Sequence, residues 1–161
     1  MRSRWRFAIG AAVLVASATA IASRPNQARY PDLTKSWEAI QAAKEQLQKA
    51  QAARAKEPQF VDQLSVAART LSAAELDIDR GVLFSEMHRK PGKPGPVTPK
   101  PALKAEPNGA AVSAARLQIL WAIRYVENAI QYHAPIGSLG GNGEKAAGHL
   151  RDALRAIDAA K

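Results

Sequence analysis

Residues 31–80 read PDLTKSWEAIQAAKEQLQKAQAARAKEPQFVDQLSVAARTLSAAELDIDR, and their spacing decides the fold. Leu33, Trp37, Ile40, Leu47 and Gln51 recur at helical intervals, with Ala43 filling the gap between Ile40 and Leu47. Charged and amide side chains take most of the other positions, so the pattern predicts an amphipathic helix over about 32–56. Glu57-Pro58 interrupts it, because proline lacks an amide donor and disfavours helical geometry in the residue before it. A second helix follows over about 59–80, with Phe60, Leu64, Ala67, Leu71, Ala74 and Ile78 as its apolar stripe. Gly81 weakens it, and Val82, Leu83, Phe84 and Met87 can extend it by another turn or two. Two helices of similar length and a short break predict an antiparallel hairpin over 31–88. One long helix kinked at Pro58 is the alternative.

The rest of the chain follows the same logic. Residues 89–107, RKPGKPGPVTPKPALKAEP, hold six of the ten prolines, with Lys90, Lys93, Lys100 and Lys104 between them. Such a stretch builds no packed core and reads as a semi-rigid, partly polyproline II linker. Asn108 is placed to cap a third helix, with Val112, Ala115, Ile119, Ala122, Val126, Ala129 and His133 along one side and Pro135 as its stop. After the loop HAPIGSLGGNG, Asn142 is placed to cap a fourth, carried by Ala146, Leu150, Ala153, Leu154, Ile157 and Ala160, with Glu144 in its first turn. The second hairpin thus occupies 108–161. Each hairpin alone buries little surface, so the expectation is an all-α chain: two antiparallel hairpins packed as one four-helix bundle and joined by the Pro/Lys-rich linker. A linker this long is uncommon inside a compact bundle, and two separate hairpins are the competing arrangement.

The first residues read as an address. MRSRWR is basic, residues 7–22 are an uncharged apolar run of 16, and Ala20-Ile21-Ala22 forms an A-x-A site before Ser23. That order is the signature of a cleaved export signal over 1–22. The run is shorter than the about 20 apolar residues of a spanning helix. An uncleaved inner-membrane anchor facing the periplasm is the alternative, and a buried core helix fits poorly behind three arginines. Residues 23–30 read as a tether. The expected location is therefore periplasmic or secreted.

Composition narrows the chemistry. The chain has no cysteine, three histidines and a formal charge of +9. Arg2, Arg4 and Arg6 precede the cleavage site, leaving 20 basic against 14 acidic residues after it. This mild excess allows contact with anionic lipid, wall polymers or an acidic protein without specifying one. Nucleic acid is not expected, given the export signal and the lack of a recognition motif. The serines lack a nucleophile-elbow context, and the glycines before Lys145 lack the phosphate-loop pattern and its preceding strand. No enzymatic activity and no cofactor are expected.

Three groups of side chains are candidate sites. His133 and His149, on successive helices of a hairpin, could take a borderline divalent ion, with Glu144 or Asp152 assisting; surface histidines without a ligand are the simpler reading. Glu75, Asp77, Asp79 and Glu86 read as a solvated helix end. The candidate interaction residues are Lys90, Lys93, Lys100 and Lys104, a cationic strip for an anionic partner, together with Trp37 and Trp121, which sit on apolar faces as core or interface anchors.

Residues 133–161 also support a resemblance. Gly140, Gly141, Lys145, Ala146, Leu150, Ala153, Ile157 and Ala160 match the pattern of small exported bacterial alanine-rich helical-hairpin proteins. Asn142 departs from it, standing where a histidine is expected. The resemblance covers about 50 C-terminal residues, with a fainter echo at 31–80, including Tyr30-Pro31-Asp32-Leu33. It implies a helical-hairpin fold and an exported location. A looser similarity to periplasmic small metal-binding helical proteins implies metal binding, but those proteins are rich in histidine and this chain is not.

Overall fold

The computed structural model describes residues 23–88, 110–133 and 139–160. Residues 1–22, 89–109, 134–138 and 161 lie outside this set, among them the linker 89–107 and the cap candidate Asn108. Among the described residues there are four helices: α1 (Pro31–Ala53), α2 (Pro58–Met87), α3 (Ala110–His133) and α4 (Asn142–Ala159). Pro31 and Pro58 stand in the first turns of α1 and α2, where an absent N–H costs nothing. The break between these helices is closed by the Glu57 N–H donating to Arg54 O at 3.0 Å and by an Arg54–Glu57 ion pair. The Arg54 guanidinium also lies 3.8 Å from the Phe60 ring centroid.

Much of the core alternates small and large residues along one seam of each helix. On α1, Leu33, Ser36, Ile40, Ala43, Leu47 and Ala50 are buried in that order. On α2 the series is Leu64, Ala67, Leu71, Ala74, Ile78 and Gly81. On α3 Ala115, Ile119, Ala122, Val126 and Ala129 are buried, and on α4 Gly143, Ala146, Leu150, Ala153 and Ile157 are. Steps of three and four hold both classes on one seam, as in coiled-coil packing. Small side chains let helix backbones approach closely. The Ser36 hydroxyl accordingly donates across the α1/α3 interface to the main-chain carbonyl of Ala122 at 3.0 Å.

Cross-helix contacts fix the directions. Asn128 donates to Asp32 and Ser36 to Ala122, so α1 and α3 are antiparallel. Lys44 with Glu75 and Gln51 with Ser65 make α1 and α2 antiparallel. Arg116 with Asp158 and Arg151 with Glu127 do the same for α3 and α4. Asp77 with His149, and Gly81 beside Leu139 and Asn142, do so for α2 and α4. Around the bundle the order is α1, α3, α4, α2, and the most extensive interfaces are α1/α3 and α2/α4. The two hairpins therefore interlock as one four-helix bundle. Since α2 and α3 run parallel on one diagonal, the end of α2 and the start of α3 lie at opposite ends of the bundle. The linker read over 89–107 lies outside the described residues.

Local differences from the sequence reading have physical causes. Helix α2 continues through Gly81 to Met87, because Gly81 occupies a small-residue position against Leu139 Cβ at 3.4 Å from where a Cβ would stand. The N-cap of α4 is Gly141, with φ 75°, and Asn142 is the first helical residue. The Asn142 side-chain amide donates back to Leu139 O at 2.9 Å, a turn contact rather than a cap. Residues 23–30, read as a tether, are docked. The Thr34 hydroxyl donates to Tyr30 O at 2.8 Å and approaches Pro25 O at 3.1 Å, and Arg24 pairs with Glu38 and Arg29 with Glu86.

Candidate functional site

The end of the bundle holding the start of α1 and the end of α2 gathers most of the polar chemistry. Asp32, Thr34 and Ser36 are fully buried in the first two turns of α1. The Asp32 carboxylate accepts from Asn128 Nδ2 at 2.6 Å and lies at a helix N-terminus, where a negative charge is favoured. Tyr125 on α3 is buried nearby and stacks on Trp121, ring centroids 5.7 Å apart. Burial pushes its phenol above the ordinary tyrosine range, and the charges of Asp32 and Glu38 push the same way.

The acidic residues of α2 require a correction. Glu75 and Asp77 are buried, not solvated. Glu75 accepts from Lys44 Nζ at 2.9 Å and from the Gln41 amide, both on α1. Asp77 lies 3.3 Å from Arg80 Nη1 and 3.4 Å from His149 Nε2. Asp79 and Glu86 face the docked segment, accepting from Ser23 Oγ at 3.0 Å and pairing with Arg29. Each carboxylate therefore joins two elements of the fold. The sequence signal for Glu75 and Asp77 is their position beside Ala74 and Ile78, on the shoulders of the buried seam.

The candidate residues separate in space. Trp121 is 2% exposed and belongs to the core. Trp37 is half-buried, and its indole N–H has no hydrogen-bond partner among the described residues. His149 turns towards α2 and Asp77. His133 is the last residue of α3, and its side chain lies outside the described set. Of the assisting carboxylates, Asp152 pairs with Arg155, and Glu144 is exposed in the first turn of α4. Among the described residues no three histidine or carboxylate groups gather as metal ligands. Lys90, Lys93, Lys100 and Lys104 lie outside the described residues.

The surface adds two features that the sequence reading did not single out. Leu83 and Met87, one turn apart near the end of α2, are 51% and 73% exposed. Beside them Phe84 covers Gly140 and stacks on His88 at 4.0 Å. At the opposite end a cleft of ≈ 260 Å³ is lined by Gln59, Phe60, Asp62, Gln63, Ala159 and Ala160. It is open and falls short of the roughly 300–1,000 Å³ of small-molecule pockets.

Compared with known proteins, the chain matches no family model, no curated protein and no solved structure, so its functional reading rests on residues and geometry.

Proposed function

We propose that this chain is an exported, non-catalytic helical module that acts by contact with a protein or an anionic component of the cell envelope. The observation that carries the reading is the division of chemistry across the bundle. The buried carboxylates serve helix-to-helix contacts, while Leu83 and Met87 stand exposed on a rigid helix. Apolar side chains held at helical spacing on a fixed scaffold suit a partner's apolar surface. The bundle is small and all-helical, and among the described residues no helix is long and apolar enough to cross a membrane. The export signal supplies the compartment, and the lysines of 89–107 supply a salt-sensitive attraction to negative charge.

The test is site-specific photo-crosslinking in the exporting cell. A photoreactive residue at Met87 or Leu83 is expected to give a discrete adduct absent when the probe is at Arg69, an exposed position nearer the start of α2. Equal adducts from all three positions, or none, would overturn the contact reading. Intact mass of the chain from soluble and membrane fractions tests the compartment separately. A soluble species beginning at Ser23 supports export with cleavage, and a full-length membrane species replaces it with an anchored envelope adaptor.

A further inference from the structure

The docking of residues 23–30 begins at the residue that follows the A-x-A site. The Ser23 hydroxyl donates to Asp79 Oδ1 at 3.0 Å, 56 positions away in sequence. Pro25 and Tyr30 are buried behind it, and Arg24 and Arg29 straddle the hairpin, one bound to α1 through Glu38 and the other to α2 through Glu86. Asp79 differs from its acidic neighbours. Asp77 has Arg80 and His149, Glu86 has Arg29, and Glu38 has Arg24 and Lys35, whereas among the described residues Asp79 meets only the Ser23 hydroxyl and no cation.

We propose that removal of the export signal creates an ammonium at Ser23 that Asp79 receives, so that processing itself fastens the N-terminal segment onto the α1/α2 hairpin. The proposal rests on the export reading above. Before cleavage the Ser23 nitrogen is a neutral amide with one N–H. Hydrolysis by the leader peptidase adds water across the Ala22–Ser23 peptide bond. The C–N bond breaks, the Ala22 carbonyl carbon gains the oxygen and leaves as a carboxylate, and the released amine takes up a proton. The α-nitrogen and the hydroxyl of one serine are close neighbours, so the new positive charge arises beside the carboxylate that already holds that hydroxyl. A cation supplied there completes the alternation of charge along the segment: Ser23 to Asp79, Arg24 to Glu38, Arg29 to Glu86.

The pair is tested on two forms of the processed chain, whose core is closed by residues 30–160. One begins at Ser23. The other begins at Ala20 and so carries its ammonium three residues away. Near neutral pH the form beginning at Ser23 is expected to melt roughly 2–4 °C higher. That gap should vanish in Asp79→Asn, which keeps the side-chain shape. It should also close as pH rises past the α-amino range of about 7.7–8.0, where the ammonium becomes neutral. A Ser23→Ala form should keep the gap, separating the charge from the hydroxyl. Equal melting of the two forms at neutral pH, or a gap that survives Asp79→Asn, would overturn the ion pair. The intact mass of the exported chain decides the processing link independently: a first residue other than Ser23 removes it, whatever the melting comparison shows.

Discussion

Lys44 Nζ on α1 lies 2.9 Å from Glu75 Oε2 on α2, joining the arms of the first hairpin through a carboxylate side chain that is 8% exposed. Removing the lysine strands most of a buried charge, with only the Gln41 amide left to it. Lys44→Met is expected to cost about 1–3 kcal/mol in urea unfolding. Replacing both partners with methionine should cost less than the single change, because no charge is then left without its counterion. A double replacement that is worse than Lys44→Met would show that the pair itself, not the stranded charge, sets the stability.

The close approach of α1 to α3 makes Ala122 a size-sensitive position of that interface. It is fully buried and its carbonyl receives the Ser36 hydroxyl. Ala122→Leu is expected to destabilise by about 1–3 kcal/mol through overpacking. Leu71→Ala, at a large-residue position on α2, should cost about 2–5 kcal/mol by leaving a cavity. Thermal melts of the two variants check both; a neutral Ala122→Leu would disprove the close seam.

Two glycines should respond in opposite directions. Gly140 has φ +59°, and a Cβ there would stand 2.9 Å from the Phe84 ring. Gly140→Ala is expected to lose about 1–3 kcal/mol from backbone strain and the clash. Gly148 lies inside α4 with nothing within 4 Å of an added Cβ. Gly148→Ala should gain about 0.5–1 kcal/mol from helix propensity. Denaturant midpoints of the pair read the difference in sign.

Alkaline pH should weaken the fold through Tyr125. Its phenol is raised above the ordinary tyrosine value by burial, then by Asp32 and Glu38. A group whose folded pKa is raised stabilises the fold fully below its unfolded value, about 10 for tyrosine, and this contribution is lost as pH rises through the folded pKa. Ultraviolet absorbance titration should show one tyrosinate forming later than free tyrosine, and Tyr125→Phe should remove that late step. A late step that persists in Tyr125→Phe would assign it to another tyrosine.

The helices and their breaks were legible because apolar residues recur at helical spacing and Pro58 stands at a break. The pairing of helices was harder to read. Apolar periodicity marks the buried side of each helix, but the neighbour it meets depends on where the small residues fall. Small residues recur at seven-residue intervals on every helix, among them Ser36, Ala43, Ala50 and Ala115, Ala122, Ala129, so the interval alone names no partner. Glu75 and Asp77 looked solvated because a carboxylate seen on one helix gives no sign that another helix will bring Lys44 or His149 to it. Residues 23–30 looked loose for the same reason: their partners Glu38, Asp79 and Glu86 come from two different helices. Of the candidate residues, Trp121 was placed on an apolar face and is in the core. Leu83 and Met87 were read as a possible helix extension, and only the packed bundle shows which side of that extension faces outward.

The interlocking of the hairpins has a consequence for how the molecule comes together. Since the most extensive interfaces lie between the halves, the core is completed only when the two hairpins meet. Joining the halves in one chain turns that encounter into an intramolecular one, which does not depend on protein concentration. A dilute chain would then complete its core without waiting to meet another molecule.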